Sequence, residues 1–251
     1  MMYRAALSFG LIVAAAAGAP AQERLPDGFV FLRDIEPGIA QDMRYAGRNN
    51  FVGHPLPGYG GNECILLRQA AEALKRAQAD LAPSGLSLKV YDCYRPTRAV
   101  RAMAAWSNDG RGDGATKRFF PTLAKTTLFA SGYIAAYSLH SSGTAVDLTI
   151  VPTSSAPPSF DPAASYDACT APVRRRAPDN SLDMGTGFDC FDLESHTNSP
   201  TISAEAKRSR AILVGAMTRR EFKNYFREWW HFAYPTGRPP QQFDFPIPRH
   251  P

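Results

Sequence analysis

Histidine is scarce in this chain, five in 251 residues, and two of the five stand in company suited to chemistry. The run from Ser138 through His140 to Gly143 and Asp147 sets an imidazole just before a tight turn and a carboxylate in the strand beyond. Val146, Leu148 and Ile150 alternate onto a core face, so Asp147, with Ala145 and Thr149, is expected to face the other way. A carboxylate in mid-strand beside small residues suits a cleft wall. The second run is Glu228-Trp229-Trp230-His231. As a strand over 229–234, it sets His231 on one face with Trp229 and Ala233, and turns Trp230 and Phe232 to the core. A straight strand would point Glu228 and His231 apart, so a bend or bulge is expected between them.

Two imidazoles and one carboxylate (His140, His231 and Asp147) make a three-ligand set for catalytic zinc, with the fourth position left to water. A neighbouring free carboxylate can take that water's proton during attack on a carbonyl, which is the part open to Glu228. An oxyanion also needs a positive group. Arg95, in the run Asp92-Cys93-Tyr94-Arg95-Pro96, follows a strand and can reach into a cleft. Each motif alone is weak, because a single strand histidine is more often structural than a ligand. Their joint occurrence carries the reading.

The elements that must position these groups follow from hydrophobic spacing. Residues 64–82 carry apolar positions at helical intervals, and Pro83 and Gly85 stop the helix. Leu86 to Tyr91 alternates as a half-buried strand, with Leu88 and Val90 on one face and Lys89 and Tyr91 on the other. A helix is expected from Thr97 to Trp106 after Pro96, a strand from Thr144 to Val151, and a helix from Ser203, as its cap, to Met217. Residues 152–180, rich in Pro, Ser and Ala, are expected to run as a long excursion over the surface. Helices and strands are interspersed without a βαβαβ rhythm, which indicates an α+β domain.

Composition sets the outer bounds. With 44% hydrophobic and 20% charged residues, the chain can bury a core and is not a disordered protein. Its net charge of +5 is spread along the chain, with no aromatic-interleaved basic stripe, so no nucleic-acid partner is expected. Residues 1–21 have the form of a secretory signal: Arg4, the apolar stretch Ala5 to Ala17, and small residues at Ala19-Pro20-Ala21. No second apolar stretch follows, so no stable membrane insertion is expected. Four cysteines in an exported protein allow three disulfide pairings. The pairing expected is Cys64–Cys93, tying a helix start to the end of the next strand, and Cys169–Cys190, stapling the excursion.

Six blocks in one order resemble the zinc D-alanyl-D-alanine dipeptidases of the VanX type, within the wider group of zinc D,D-peptidases. They are Asp42-Met43-Arg44-Tyr45-Ala46 with Asn50-Phe51-Val52-Gly53, DCYRP (92–96), SLHSSGTAVDLT (138–149), DMGTGFDCF (183–191), EWWHF (228–232) and Phe243-Asp244-Phe245-Pro246. The resemblance implies one Hedgehog-like catalytic domain over 22–251, with a central, mainly antiparallel sheet flanked by helices. It implies one zinc ion per chain held by His140, Asp147 and His231, Glu228 as general base, and Arg95 on the oxyanion. Tyr45 and Asp189 would line the pocket for the substrate's free amino group, and Ser138 would add a polar contact beside the zinc. The pattern departs from the family in its cysteines at 93 and 190 and in the length of the excursion. The reaction implied is hydrolysis of D-Ala-D-Ala in cell-wall peptide turnover, in the periplasm. Two other readings use the same residues: a D,D- or L,D-carboxypeptidase on peptidoglycan stem peptides, and a zinc-containing wall-binding module without catalysis.

Overall fold

The computed structural model describes residues 24–251, so the signal-like segment 1–21 lies outside the described residues. A short antiparallel ladder pairs β1 (Phe29–Phe31) with β3 (Ile65–Leu67). The larger sheet comprises β2 (Ala40–Gln41), β4 (Leu86–Asp92), β5 (Ala145–Pro152), β6 (Lys223–Asn224) and β7 (His231–Ala233). Its order is β2-β4-β5-β7-β6, and only the β2–β4 pair is parallel. The helices are α1 (Leu32–Ile35), α2 (Arg68–Leu81), α3 (Thr97–Ser107) and α4 (Ala204–Thr218). This is the expected α+β architecture with a mainly antiparallel central sheet. No helix among the described residues is long and apolar enough to cross a membrane.

One face of the sheet makes the main core. Leu88, Val90, Val146, Leu148 and Ile150 pack there with Ala70, Leu74 and Ala77 of α2 and Leu213 and Ala216 of α4. The cap of α4 is the one expected, Ser203 Oγ accepting from Ala206 N at 3.0 Å. A second apolar cluster joins Tyr45, Phe51, Met103 of α3, Phe119, Phe120 and Phe191. The site lies between this cluster and the sheet.

Four expectations need correction. The helix over 64–82 starts only at Arg68, because Ile65–Leu67 pair with β1. Three consecutive apolar residues serve a strand as well as a helix turn, and here the ladder claims them. The strand over 86–91 is not half-buried: Lys89 and Tyr91 are as buried as Leu88 and Val90. Their cover is the end of the excursion, which turns inward instead of staying on the surface. Lys89 Nζ donates to Asp179 Oδ1 at 2.8 Å and Asn180 Oδ1 at 2.7 Å, and Tyr91 OH donates to Asp179 Oδ2 at 2.8 Å. The strand expected over 229–234 spans only His231–Ala233. Trp229 lies in the turn before it, buried in the core with Nε1 donating to Thr186 Oγ1, and does not share the face of His231. Both expected disulfides are present, Cys64–Cys93 and Cys169–Cys190.

Candidate active site

Register across the central strands builds the site. Asp147 on β5 lies directly opposite His231 on β7, and opposed residues on paired strands project from the same face. On the other side of β5, Asp147 pairs with Asp92 at the end of β4. Simple alternation would aim Asp92 to the core with Leu88 and Val90. A bulge between Val90 and Asp92 re-aims it, so Asp92, Asp147 and His231 form one row across three strands.

His140 enters from a 3₁₀ turn over Leu139–Ser142. Ser138 caps that turn, its Oγ accepting from His140 N at 3.3 Å. Gly143 closes it at φ 71°, where a Cβ would also meet Phe29 Cε1 at 2.3 Å, so the position demands glycine twice over. The ring is oriented by its far nitrogen: Nδ1 donates to Cys93 O at 2.7 Å, which turns Nε2 to the site.

The three donor atoms converge. His140 Nε2 is 3.1 Å from His231 Nδ1 and 3.3 Å from Asp147 Oδ1, and His231 Nδ1 is 3.0 Å from the same oxygen. Ligands about 2.0 Å from a tetrahedral zinc stand about 3.3 Å apart, so this triangle fits one such ion. Electrostatics agree. Burial works against a charged Asp147, yet the His140 and His231 imidazoles hold it well below the usual carboxylate range. Burial lowers the His231 pKa and favours the neutral ring that a metal requires.

Glu228 stands alongside. A tight turn, with Glu228 N donating to Tyr225 O and His231 N to Glu228 O, supplies the expected bend. It brings Glu228 Oε2 to 3.9 Å from His231 Nδ1. Burial, then the charges of Asp147 and Asp189, push the Glu228 pKa well above the usual range, with Arg95 opposing. Arg95 is gripped by Asp92, whose Oδ2 accepts from Nε at 2.9 Å and lies 2.8 Å from Nη2. Its guanidinium also lies over the Tyr45 ring and sits 3.6 Å from Asp147 Oδ2.

Tyr45 and Asp189 meet as a pair, the phenol donating to Asp189 Oδ2 at 2.8 Å. Asp189 is buried, and burial together with Asp147 raises its pKa well above normal. Its φ of 56° is a left-handed conformation that aspartate tolerates and most residues do not. All eight candidate side chains line one cavity of about 310 Å³, with Phe51, Met103, Tyr133, Phe191 and Tyr225 among its walls. Ser138, half-buried, is among them and also acts as the cap of the histidine turn. His54, His196 and His250 lie elsewhere, the last paired with Asp34.

Asp92 escaped the sequence reasoning although its neighbour Arg95 did not. It is fully buried, accepts from Tyr59 OH at 2.7 Å, and lies 3.5 Å from His140 Nδ1. The only available signal was its membership of the same block.

A donor triangle with a free carboxylate beside it supports metal-assisted hydrolysis, the chemistry of a metallohydrolase. A family model described as D-ala-D-ala dipeptidase matches residues 26–158 and 151–248, so the chain belongs to that family of peptidases. The two matched segments overlap over 151–158, where the Pro- and Ser-rich excursion begins. The chain is 31% identical over 221 residues to the D-alanyl-D-alanine dipeptidase of Enterococcus faecium, covering 88% of this chain and 98% of the relative. To the enzyme of the same description from Streptomyces coelicolor it is 33% identical over 221 residues, covering 87% and 98%. A solved structure titled VanYB in complex with D-Alanine-D-Alanine overlays with a TM-score of 0.34 at 13% identity, covering 78% of this chain and 85% of that one, too loosely to carry an argument.

Proposed function

We propose that the protein is an exported dipeptidase that hydrolyses D-alanyl-D-alanine in cell-wall peptide turnover, with one zinc ion held by His140, Asp147 and His231. The observation that carries this reading is the convergence of the three donor atoms within 4.8 Å of one another, in the cavity that Glu228 and Arg95 also line. Membership of the dipeptidase family supports the substrate. The signal-like 1–21 segment and two disulfides support the periplasm.

Zinc bound there supplies Lewis acidity toward water and a carbonyl oxygen. Glu228 takes the proton of the attacking water and returns it to the leaving amine nitrogen. Its raised proton affinity suits a group that must do both. Arg95, held by Asp92, faces the negative charge that develops on the carbonyl oxygen. Asp189 and Tyr45 receive the substrate's ammonium. A carboxylate whose burial disfavours its charge gains most from a cationic partner, so peptides without a free amine are rejected. Ser138, which lines the same cavity, offers a polar contact beside the zinc.

The test is an assay of purified mature protein with zinc against D-Ala-D-Ala, L-Ala-L-Ala and a stem pentapeptide. The dipeptide of D-alanine should be cleaved best. Preference for the pentapeptide would turn the reading into a D,D-carboxypeptidase, and zinc binding without hydrolysis would leave a wall-binding module. Glu228→Ala should lower kcat by at least about 100-fold with zinc content unchanged. Near-normal turnover would remove it as the base.

A further inference from the structure

Arg210 lies in the middle of α4, outside the cavity, and is 2% exposed. A guanidinium so deeply buried ordinarily meets a carboxylate. This one meets backbone carbonyls. Nε donates to Met184 O at 2.7 Å, Nη2 to Glu194 O at 2.8 Å and Nη1 to His196 O at 2.6 Å. Burial lowers its pKa to about 10, which leaves it charged at neutral pH. The three carbonyls come from the two ends of the segment 184–196, so a single side chain gathers both ends.

That segment serves the site twice. Its middle carries Asp189 in the left-handed conformation, Phe191 on the cavity wall, and Cys190, which is bonded to Cys169. Its two ends hold Trp229: Thr186 Oγ1 accepts from Trp229 Nε1 at 2.9 Å, and Ser195 O accepts from Trp229 N at 3.1 Å. Thr186 and Ser195 are themselves joined through their hydroxyls at 3.1 Å. Trp229 is the residue after Glu228. Among the described residues, no side-chain hydrogen bond or ion pair joins the metal donors, on β5, β7 and the Leu139–Ser142 turn, to this segment.

We infer that Arg210 is a positioning residue for the reaction, fixing the segment that aims Asp189 at the substrate's ammonium and that anchors the turn bearing Glu228. The inference rests on the roles given above to Asp189 and Glu228. Lysine cannot replace it, because one ammonium on a flexible stem cannot span three diverging carbonyls as a planar fork does.

The experiment compares the zinc-loaded mature protein with Arg210→Lys and Arg210→Met. Zinc content, and kcat and KM for D-Ala-D-Ala and N-acetyl-D-Ala-D-Ala, are measured for each. Zinc content should stay at the wild-type level. The preference for the free amine, as the ratio of kcat/KM values, should fall at least about 10-fold in both variants. A ratio within about twofold of wild type in a folded variant, even one with a lower Tm, overturns the inference and leaves Arg210 a stability residue. Asp189→Asn, assayed alongside, isolates the underlying reading. An unchanged preference there overturns the ammonium role and this inference with it, whereas preference lost there but kept in the Arg210 variants overturns only this inference. Should neither Arg210 variant fold, Gly185→Ala carries the test. Gly185 stands at φ 85°, and a Cβ there would press on Ile202 Cγ2 at 2.8 Å, just before α4, and on Ala206 Cβ of α4 at 3.3 Å, displacing the same segment with Arg210 intact. The same loss of preference is expected, and a ratio within about twofold of wild type overturns the inference.

Discussion

Replacing Asp92 by Asn removes one charge and almost no volume, at a position fully buried between Arg95, Tyr59 and His140. In the native site the Asp92 carboxylate holds Arg95 Nη2 at 2.8 Å, while the next carboxylate, Asp147, is 3.6 Å away. With the charge gone, Asp147 becomes the strongest partner within reach. Two unit charges at that separation attract by about 4–5 kcal/mol in an effective dielectric of about 20, enough to re-aim a side chain. The guanidinium then leaves the carbonyl it should face and competes for a metal ligand. Groups that orient ligands and catalytic residues typically account for about 10–100-fold in activity, so kcat/KM should fall by that factor, about 1.4–2.7 kcal/mol. Zinc affinity should fall with it. Steady-state kinetics at saturating zinc, a zinc titration and circular dichroism together make the assay. A folded, zinc-loaded Asp92→Asn enzyme with kcat/KM within about twofold of wild type would refute the reasoning.

Two further outcomes concern stability. Asp179→Asn takes the shared charge from Arg44 and Lys89, both buried, although Asp42 and Asn180 remain as second acceptors. A loss of about 2–3 kcal/mol is expected, a drop in Tm of about 5–10 °C. Burial opposes the charge on Asp179, but Arg44 and Lys89 win and hold its pKa far below the ordinary carboxylate value. Its contribution is therefore complete above about pH 4 and disappears as the pH falls further, so the wild-type and variant melting curves should converge in acid. A gap that persists unchanged to about pH 2 contradicts this. Replacing Cys64 and Cys93 together by serine reopens a crosslink with a sequence separation of 29 residues. Chain entropy puts the cost at about 3–4 kcal/mol, read as a lower Tm than the oxidised wild type, and an equal Tm would show that the bond adds nothing.

The sequence exposed the polar ends of the site better than its frame. Asp147 was legible because Val146, Leu148 and Ile150 left it no core-facing position, and Glu228 because it is a free carboxylate three residues from His231, with a bend required to bring the two together. Tyr45 and Asp189 were not legible from pattern. They lie far apart in the chain, and only the family resemblance paired them. Asp92 was hidden by the bulge, which reverses the face that alternation assigns and leaves no mark in residue types. Lys89 and Tyr91 looked exposed because their cover comes from 179–181, at the end of a stretch whose composition signals a surface loop. Such contacts are tertiary, and periodicity carries no information about them. The helices of 97–107 and 204–218 were found within a residue because local capping and apolar spacing suffice there.

The central claim is that His140, Asp147 and His231 hold one metal ion. Titrating the metal-free mature protein with zinc, and following binding by calorimetry, tests it most directly. One ion per chain should bind tightly, and His140→Ala, Asp147→Asn and His231→Ala should each weaken binding by at least about 100-fold while the fold persists. A wild-type protein that takes up no zinc, or a His231→Ala variant that binds it as well as the wild type, would contradict the account.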